Sequence, residues 1–523
     1  MDALRIKNLR CLTDTGRVPL RPITLLVGRN SSGKSTFLRA FPLLRQSVET
    51  PRESPILWYH ERFVDFGSFQ EAVNERAKER AITFEFEVPI ESWQIELPSC
   101  LVAMTLGERD GGGVFIQSYR ISAFGHHVDI DLGPDGGVRR LRVDDAMLDL
   151  RETCLQLSGS AFLMPMIARP NKEPVVYQKH YKRPKEEVGE EEILEPLFFG
   201  DPSFREPLTS ATRPLLRGDV PPLFLDDLPV YIKLTPLERA AESLRASLSH
   251  ESWGEFVVPE QITTGLSALL PLLLADRASS IIKSADNLVA DFFAHVAYLA
   301  PLRATATRGY RIQDLSVSEV DPRGENLAMF LRSLSAEELE SFADFTRRHL
   351  DFDASLRVFG LHADILVREA PRGRAKNLVD VGSGYAQVLP LAAILWSTCV
   401  RKPRRENGHT SLLAIEQPEL HLHPAHQARL TRMFAGAMLE SRKAGRPVKL
   451  LIETHSEALV NGFGDLVHEK LLSPEDVQIA IFDQDEETHD TTVHLSDYDE
   501  DGALRNWPYG FFNPIDDHRE AAE

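Results

Sequence analysis

The sequence predicts an α/β fold: a phosphate-loop head that carries an antiparallel β meander and a helical insertion lobe. Three observations predict it. Ile23-Thr24-Leu25-Leu26-Val27 is a fully apolar strand that runs directly into a glycine-bearing loop and then a helix over 35–45. From about residue 373 the pattern alternates helix, buried strand (412–415), helix (424–441) and buried strand (448–452), the alternation of a parallel sheet. Between them, residues 82–141 hold short alternating stretches parted by turns such as Asp110-Gly111-Gly112-Gly113 and Pro134-Asp135-Gly136-Gly137, the pattern of a meander.

In chain order, residues 4–12 read as a first strand and 23–27 as a second. The charge-dominated run 179–192 reads as an exposed loop or insertion, with proline-rich connections over 202–229 and helical patterns over 235–300 and 326–350. The expected division is an N-terminal half of the head with the meander (1–150), a mainly helical lobe (151–372) and a C-terminal half (373–523). Apolar runs at 265–275 and 388–400 fall short of the roughly 18–20 residues that span a bilayer, so both are expected as buried helices. The amino terminus lacks the apolar block of a secretion signal, and the expectation is a cytoplasmic protein with no membrane partner. Cys11, Cys100, Cys154 and Cys399 form no CxxC pair, which argues against a zinc knuckle or a disulfide framework. A net charge of −19 opposes nonspecific attraction to nucleic acid, so such contact is expected to be indirect or confined to a local basic patch.

Gly28-Arg29-Asn30-Ser31-Ser32-Gly33-Lys34-Ser35 fits GxxxxGK[ST] in full, between a strand and a helix, and Thr36 follows. Gly28 and Gly33 let successive N–H groups turn toward one anion at the positive end of a helix. Lys34 supplies a charge for the β/γ-phosphates and Ser35 a hydroxyl for a metal, so the expected cofactors are ATP and Mg²⁺. Leu412-Leu413-Ala414-Ile415-Glu416-Gln417-Pro418-Glu419 is an apolar strand ending in acids, with Glu416 read as the carboxylate beside the Mg²⁺.

IEQPELHLHP, followed by Glu453-Thr454-His455-Ser456-Glu457, resembles the corresponding motifs of RecF/OLD-like ABC-type AAA ATPases. The resemblance implies that His455 senses the γ-phosphate and that His421-Leu422-His423-Pro424 is a subunit-contact loop. Two other readings stand beside it: a transition metal held by His421, His423 and His426, or structural histidines. Gln417 departs from the pattern in which a second carboxylate polarises water; an amide is no base, so hydrolysis is expected to be slow unless Glu419 or His455 supplies the charge. The segment from Asn377 to Pro390 resembles the signature of the same ATPases. That implies that Gly382, Ser383 and Gly384 meet nucleotide held by a second copy of the chain, the alternative being an ordinary helix cap. Tyr298-Leu299-Ala300-Pro301-Leu302-Arg303, Arg308-Gly309-Tyr310 and the tail Trp507-Pro508-Tyr509-Gly510-Phe511-Phe512 also look like this group, with Arg303 and Arg308 either near phosphate or simply solvated or ion-paired.

Within the group the chain looks most like the ATPase subunit of Septu-type antiviral systems, including those attached to retrons. This implies a homodimer or higher oligomer that regulates an effector nuclease. The competing classes are a RecF-like clamp on DNA and an OLD-like nuclease with its own Toprim domain. Asp483-Gln484-Asp485-Glu486 offers a DxD to the latter, but too little of the 523-residue chain follows His455 for a further domain of ~100 residues, and a charged hairpin turn is the preferred reading. A transporter ATPase fits least, because the meander and insertion depart from that compact module.

Overall fold

The computed structural model describes the chain outside residues 93–94, 110, 145, 148–155, 158–166, 169–174, 185–189, 201–203, 217–231, 243–261, 314–316, 370–372, 403–410 and 509–523. Cys154, most of the proline-rich connection and the tail from Tyr509 therefore lie outside the described residues. The chain divides into two compact units: Met1–Leu4, Arg52–Ile56 and Glu79–Ala290 form one, and Arg5–Pro51, Leu57–Lys78 and Asp291–Glu523 the other.

The first unit contains the expected meander. Strands Ile82–Glu91, Glu96–Glu108, Val114–Ala123, His126–Leu132 and Val138–Val143 pair antiparallel, each with its neighbour in sequence. Ile82, Phe84, Phe86, Val88 and Ile90 alternate onto a buried face, as a period of two requires. The helix Ile262–Asp276 packs on the last two of these strands. Within the run 179–192 the described residues are strand rather than loop: Val175–Pro184 and Glu190–Gly200 pair antiparallel. Their register opposes Lys182 to Glu192 and Arg183 to Glu191, so the basic and acidic halves of the run are cross-strand neighbours.

The second unit is built on a seven-stranded sheet in the order Val296–Leu299, Leu412–Glu416, Lys449–Glu453, Ile23–Gly28, Val477–Gln484, Thr491–Tyr498, Leu504–Arg505. The first five are parallel and the last two antiparallel. Residues 296–299, inside a segment whose pattern reads as helical, are thus the strand beside the Glu416 strand. A second sheet joins Tyr310–Arg311, His362–Glu369, Phe352–Phe359 and Lys376–Asn377. The helix Ser383–Leu395 follows it, buried from Val388 to Leu395. Extended to Val400, it is the one helix among the described residues long and apolar enough to cross a membrane, and its apolar side chains are spent on this unit's core.

Helix Lys34–Glu49 is anchored by Arg45, which donates to the Val296 carbonyl (2.5 Å) and pairs with Glu319 (2.6 Å). Burial would raise the Glu319 carboxyl, but Arg45 and Arg62 prevail and hold it below the usual glutamate range.

Candidate functional site: a phosphate loop beside two registered carboxylates

All six residues of Ile23–Gly28 are buried, so the loop that leaves this strand starts from a fixed base. Backbone φ is 151° at Gly28, 64° at Ser31 and 98° at Gly33. A Cβ on Gly28 would lie 2.2 Å from the Phe482 carbonyl oxygen, and one on Gly33 would lie 2.5 Å from the Leu12 side chain. Backbone packing at Gly28 and the positive φ at both positions therefore favour glycine where anion binding also favours it. Helix Lys34–Glu49 begins with no side-chain cap, leaving its first N–H groups for another acceptor. Arg29, Asn30 and Ser31 are exposed at the loop's crest, where Arg29 pairs with Glu486 at 2.9 Å; Thr36 is half-buried.

Lys34 is 3% exposed and its Nζ donates to the loop's own carbonyls, Gly28 (3.0 Å) and Arg29 (2.7 Å). Burial pulls its pKa down and the charge of Glu453 opposes that pull. The Ser35 hydroxyl donates to Glu453 Oε1 at 2.8 Å. The buried Ser32 hydroxyl and Glu453 Oε2 have no hydrogen-bond partner among the described residues. A half-satisfied carboxylate, a hydroxyl, a buried ammonium and an uncapped helix end fit a phosphate with its divalent cation, which takes oxygen ligands and few protein groups.

Parallel pairing places Glu416 opposite Glu453 at the ends of adjacent strands. Their environments differ. Both Glu416 oxygens are taken: Arg39 donates Nε and Nη2 to them at 2.8 Å each, and the Tyr298 hydroxyl donates to Oε1 at 2.6 Å. Those bonds raise Arg39, while burial, together with Glu416, raises Tyr298. Glu453 has only the Ser35 hydroxyl, and burial, reinforced by the Glu416 charge, pushes its carboxyl up to about 7.

Gln417 takes a left-handed conformation (φ 42°) and its N–H bonds to the Glu453 carbonyl at 2.9 Å. Arg303 is buried, with Nη2 near the Glu416 and Gln417 carbonyls (3.4 and 3.5 Å) and Nε and Nη1 without a partner among the described residues; burial lowers it to about 10. Arg308 instead ion-pairs with Asp380. Glu419 Oε1 accepts the His455 N–H at 2.7 Å, and burial raises the Glu419 carboxyl. Partial desolvation and the Lys34 charge lower His455.

Gly382, Ser383 and Gly384 open a different helix of this unit. Gly382 caps the helix Ser383–Leu395, and the three residues line a cavity of about 280 Å³ with His421, Leu422 and His423. No phosphate-loop residue lines it. His426 also borders the cavity, but among the described residues no three His, Cys, Asp or Glu side chains are grouped to hold a metal. Asp483 and Asp485 lie at a hairpin turn, where the Asp485 carboxylate accepts the Glu487 and Thr488 N–H groups (2.9 and 2.7 Å), the charged turn expected for that DxD.

Sequence reasoning gave no role to Glu453, Arg39 or Tyr298. Arg39 lies four residues after Ser35, one turn along the same helix face, a spacing that was available as a signal.

Residues 1–134, which hold the phosphate loop, match a family described as "AAA ATPase domain". Residues 240–461, which hold the Gly382 turn, Glu416, Gln417, Glu453 and His455, match "AAA domain, putative AbiEii toxin, Type IV TA system". Both matches support an ATPase of the AAA type. No curated protein matches the chain in sequence at a significant level. Among solved structures it is similar to an SMC head bound to the C-winged helix domain of ScpA, at 11% identity over 94% of this chain and 96% of that one, with a TM-score of 0.34. It is also similar to the SMC head domain from Thermotoga maritima, at 8% identity over 94% and 97%, with a TM-score of 0.31. Both superpose too loosely to inform mechanism.

Proposed function

We propose that the chain is a slow, Mg²⁺-dependent ATP switch that pairs with a second copy around nucleotide and regulates an effector nuclease in prokaryotic antiviral defence. Bound MgATP would supply the electrophilic phosphorus and a cation that spreads the charge of the transferring group. Lys34 and the loop N–H groups would hold the phosphates, Ser35 and one of the two registered acids would hold the cation, and Gln417, Glu419 and His455 would be the groups left to orient or polarise water. Gln417 can orient water through its amide but takes no proton, which is the basis for slow turnover.

The observation that supports pairing is that Gly382, Ser383 and Gly384 line a cavity to which no phosphate-loop residue contributes. These residues share a cavity with His421, Leu422 and His423, so one chain presents a helix N-terminus and a contact loop on a surface its own loop does not line. The toxin wording in the description of the family matched by 240–461 supports a place in a two-part system.

Sedimentation with and without ATP tests the pairing. Ser383→Arg leaves each chain folded and ATP-bound but unable to associate, because a bulky cation occupies the contact. ATP-dependent association that survives the substitution removes the proposal. The partner requirement is tested separately: the purified chain with Mg²⁺ or Mn²⁺ leaves DNA and RNA intact, and cleavage lost on combining Asp483→Ala with Asp485→Ala would instead favour a self-contained nuclease.

A further inference from the structure

We propose that Glu453, rather than Glu416, is the carboxylate this ATPase turns toward the Mg²⁺ of its nucleotide, and that Glu416 is a structural clamp on the phosphate-loop helix. The inference rests on the ATP-switch reading above and divides the labour between two acids that the sheet places side by side.

Both side chains leave the ends of parallel neighbours, 416 opposite 453. The Glu453 strand lies between the Glu416 strand and the phosphate-loop strand. The acid nearest the loop is therefore Glu453, and its Oε1 already holds the Ser35 hydroxyl at 2.8 Å. Its second oxygen is buried and has no partner among the described residues, a condition that costs free energy unless a donor or cation completes it. Magnesium sites at phosphates use few protein ligands, one or two carboxylates and a hydroxyl beside phosphate oxygens, and Ser35 with Glu453 is such a set.

Glu416 has no comparable vacancy. Its two oxygens accept three hydrogen bonds, two from the Arg39 guanidinium and one from Tyr298. Arg39 is on helix Lys34–Glu49 and Tyr298 on the neighbouring strand Val296–Leu299, so the clamp ties the helix that carries Lys34 and Ser35 to two strands of the sheet. To ligate a cation Glu416 would have to release a bidentate arginine in a buried setting.

The test is equilibrium titration of a fluorescent ATP analogue, with excess Mg²⁺ or with EDTA, on the full chain and on Lys34→Ala, Glu453→Gln and Glu416→Gln. Mn²⁺ binding in the presence of ATP is followed in parallel by electron paramagnetic resonance. Glu453→Gln keeps an acceptor for Ser35 and removes a charge beside Glu416, so it melts no lower than wild type. It loses at least tenfold of the tightening that Mg²⁺ gives and most of the ATP-dependent Mn²⁺ signal, while its affinity in EDTA stays within about threefold. Glu416→Gln keeps the Mg²⁺ tightening. Glu453→Asp, which retains charge but shortens the reach, loses part of it. The inference is overturned if the Mg²⁺ gain survives both Glu453 variants, or disappears in Glu416→Gln. Failure of the wild-type chain to bind the analogue, or equal binding by Lys34→Ala, would instead remove the ATP reading itself.

Discussion

Removing the Arg39 guanidinium isolates the clamp from everything else at the site. The Glu416 side chain is 2% exposed and that of Arg39 36%, so Arg39→Ala leaves a carboxylate buried, beside Glu453, with Tyr298 as its one remaining donor. Breaking a buried ion pair from one side costs about 3–5 kcal/mol. A third of the arginine is open to water, which enters the gap and screens the orphaned charge, so about 2–3 kcal/mol is the expected loss. For a unit of this size, with an unfolding entropy of about 2.1 cal/mol/K per residue, that lowers the melting temperature by roughly 3–5 °C. Tyr298→Phe removes a hydrogen bond to a charged acceptor, a loss of about 1.5–3 kcal/mol. Since Arg39 Nε and the Tyr298 hydroxyl share Oε1, the double variant is non-additive, with a coupling of about 0.5–3 kcal/mol. The decisive control is Glu416→Gln placed on Arg39→Ala: once the uncompensated charge is gone, most of the lost stability returns. Calorimetric melts of the nucleotide-free protein measure all four. An Arg39→Ala chain that melts within 1–2 °C of wild type, or one that Glu416→Gln fails to rescue, would refute the clamp.

Gln417→Glu supplies a proton acceptor where the chain has an amide; if the missing base limits turnover, steady-state phosphate release rises by up to ~10²- to 10⁴-fold with ATP affinity little changed. A wild-type rate already high and indifferent to the change would assign the base to Glu419, His455 or a group from a second chain. Glu319 tests the pH dependence of the helix anchor: its folded carboxyl lies below the unfolded value, so its contribution is present above about pH 4.3 and lost as pH falls through the folded value. Glu319→Gln therefore melts lower at pH 7 but declines less steeply below pH 5, and the two melting curves against pH converge in acid; parallel curves would exclude the anchor as an acid-sensitive element.

The phosphate loop was legible because its chemistry and its packing ask for the same residues: the glycines that admit an anion at positions 28 and 33 are also the ones whose Cβ atoms would strike Phe482 and Leu12. The meander was legible because its period of two and its glycine turns are local, and neighbours in sequence are neighbours in the sheet. Adjacency in the parallel sheet is not local. Nothing in residues 296–299 says that they pair with 412–415, so Tyr298 could not be placed against Glu416 before the register was known. The same limit governs the two acids. IEQPE marks Glu416 conspicuously, whereas Glu453 ends a strand whose partners are invisible in the sequence. The order Leu412–Glu416, Lys449–Glu453, Ile23–Gly28 decides which acid meets Ser35, because of the two strands that end in these acids it is the Glu453 strand that borders the loop's own. Periodicity identifies strands and motifs identify their ends, but the function of a carboxylate at a strand end depends on which strand lies next to it, and that is settled by tertiary packing.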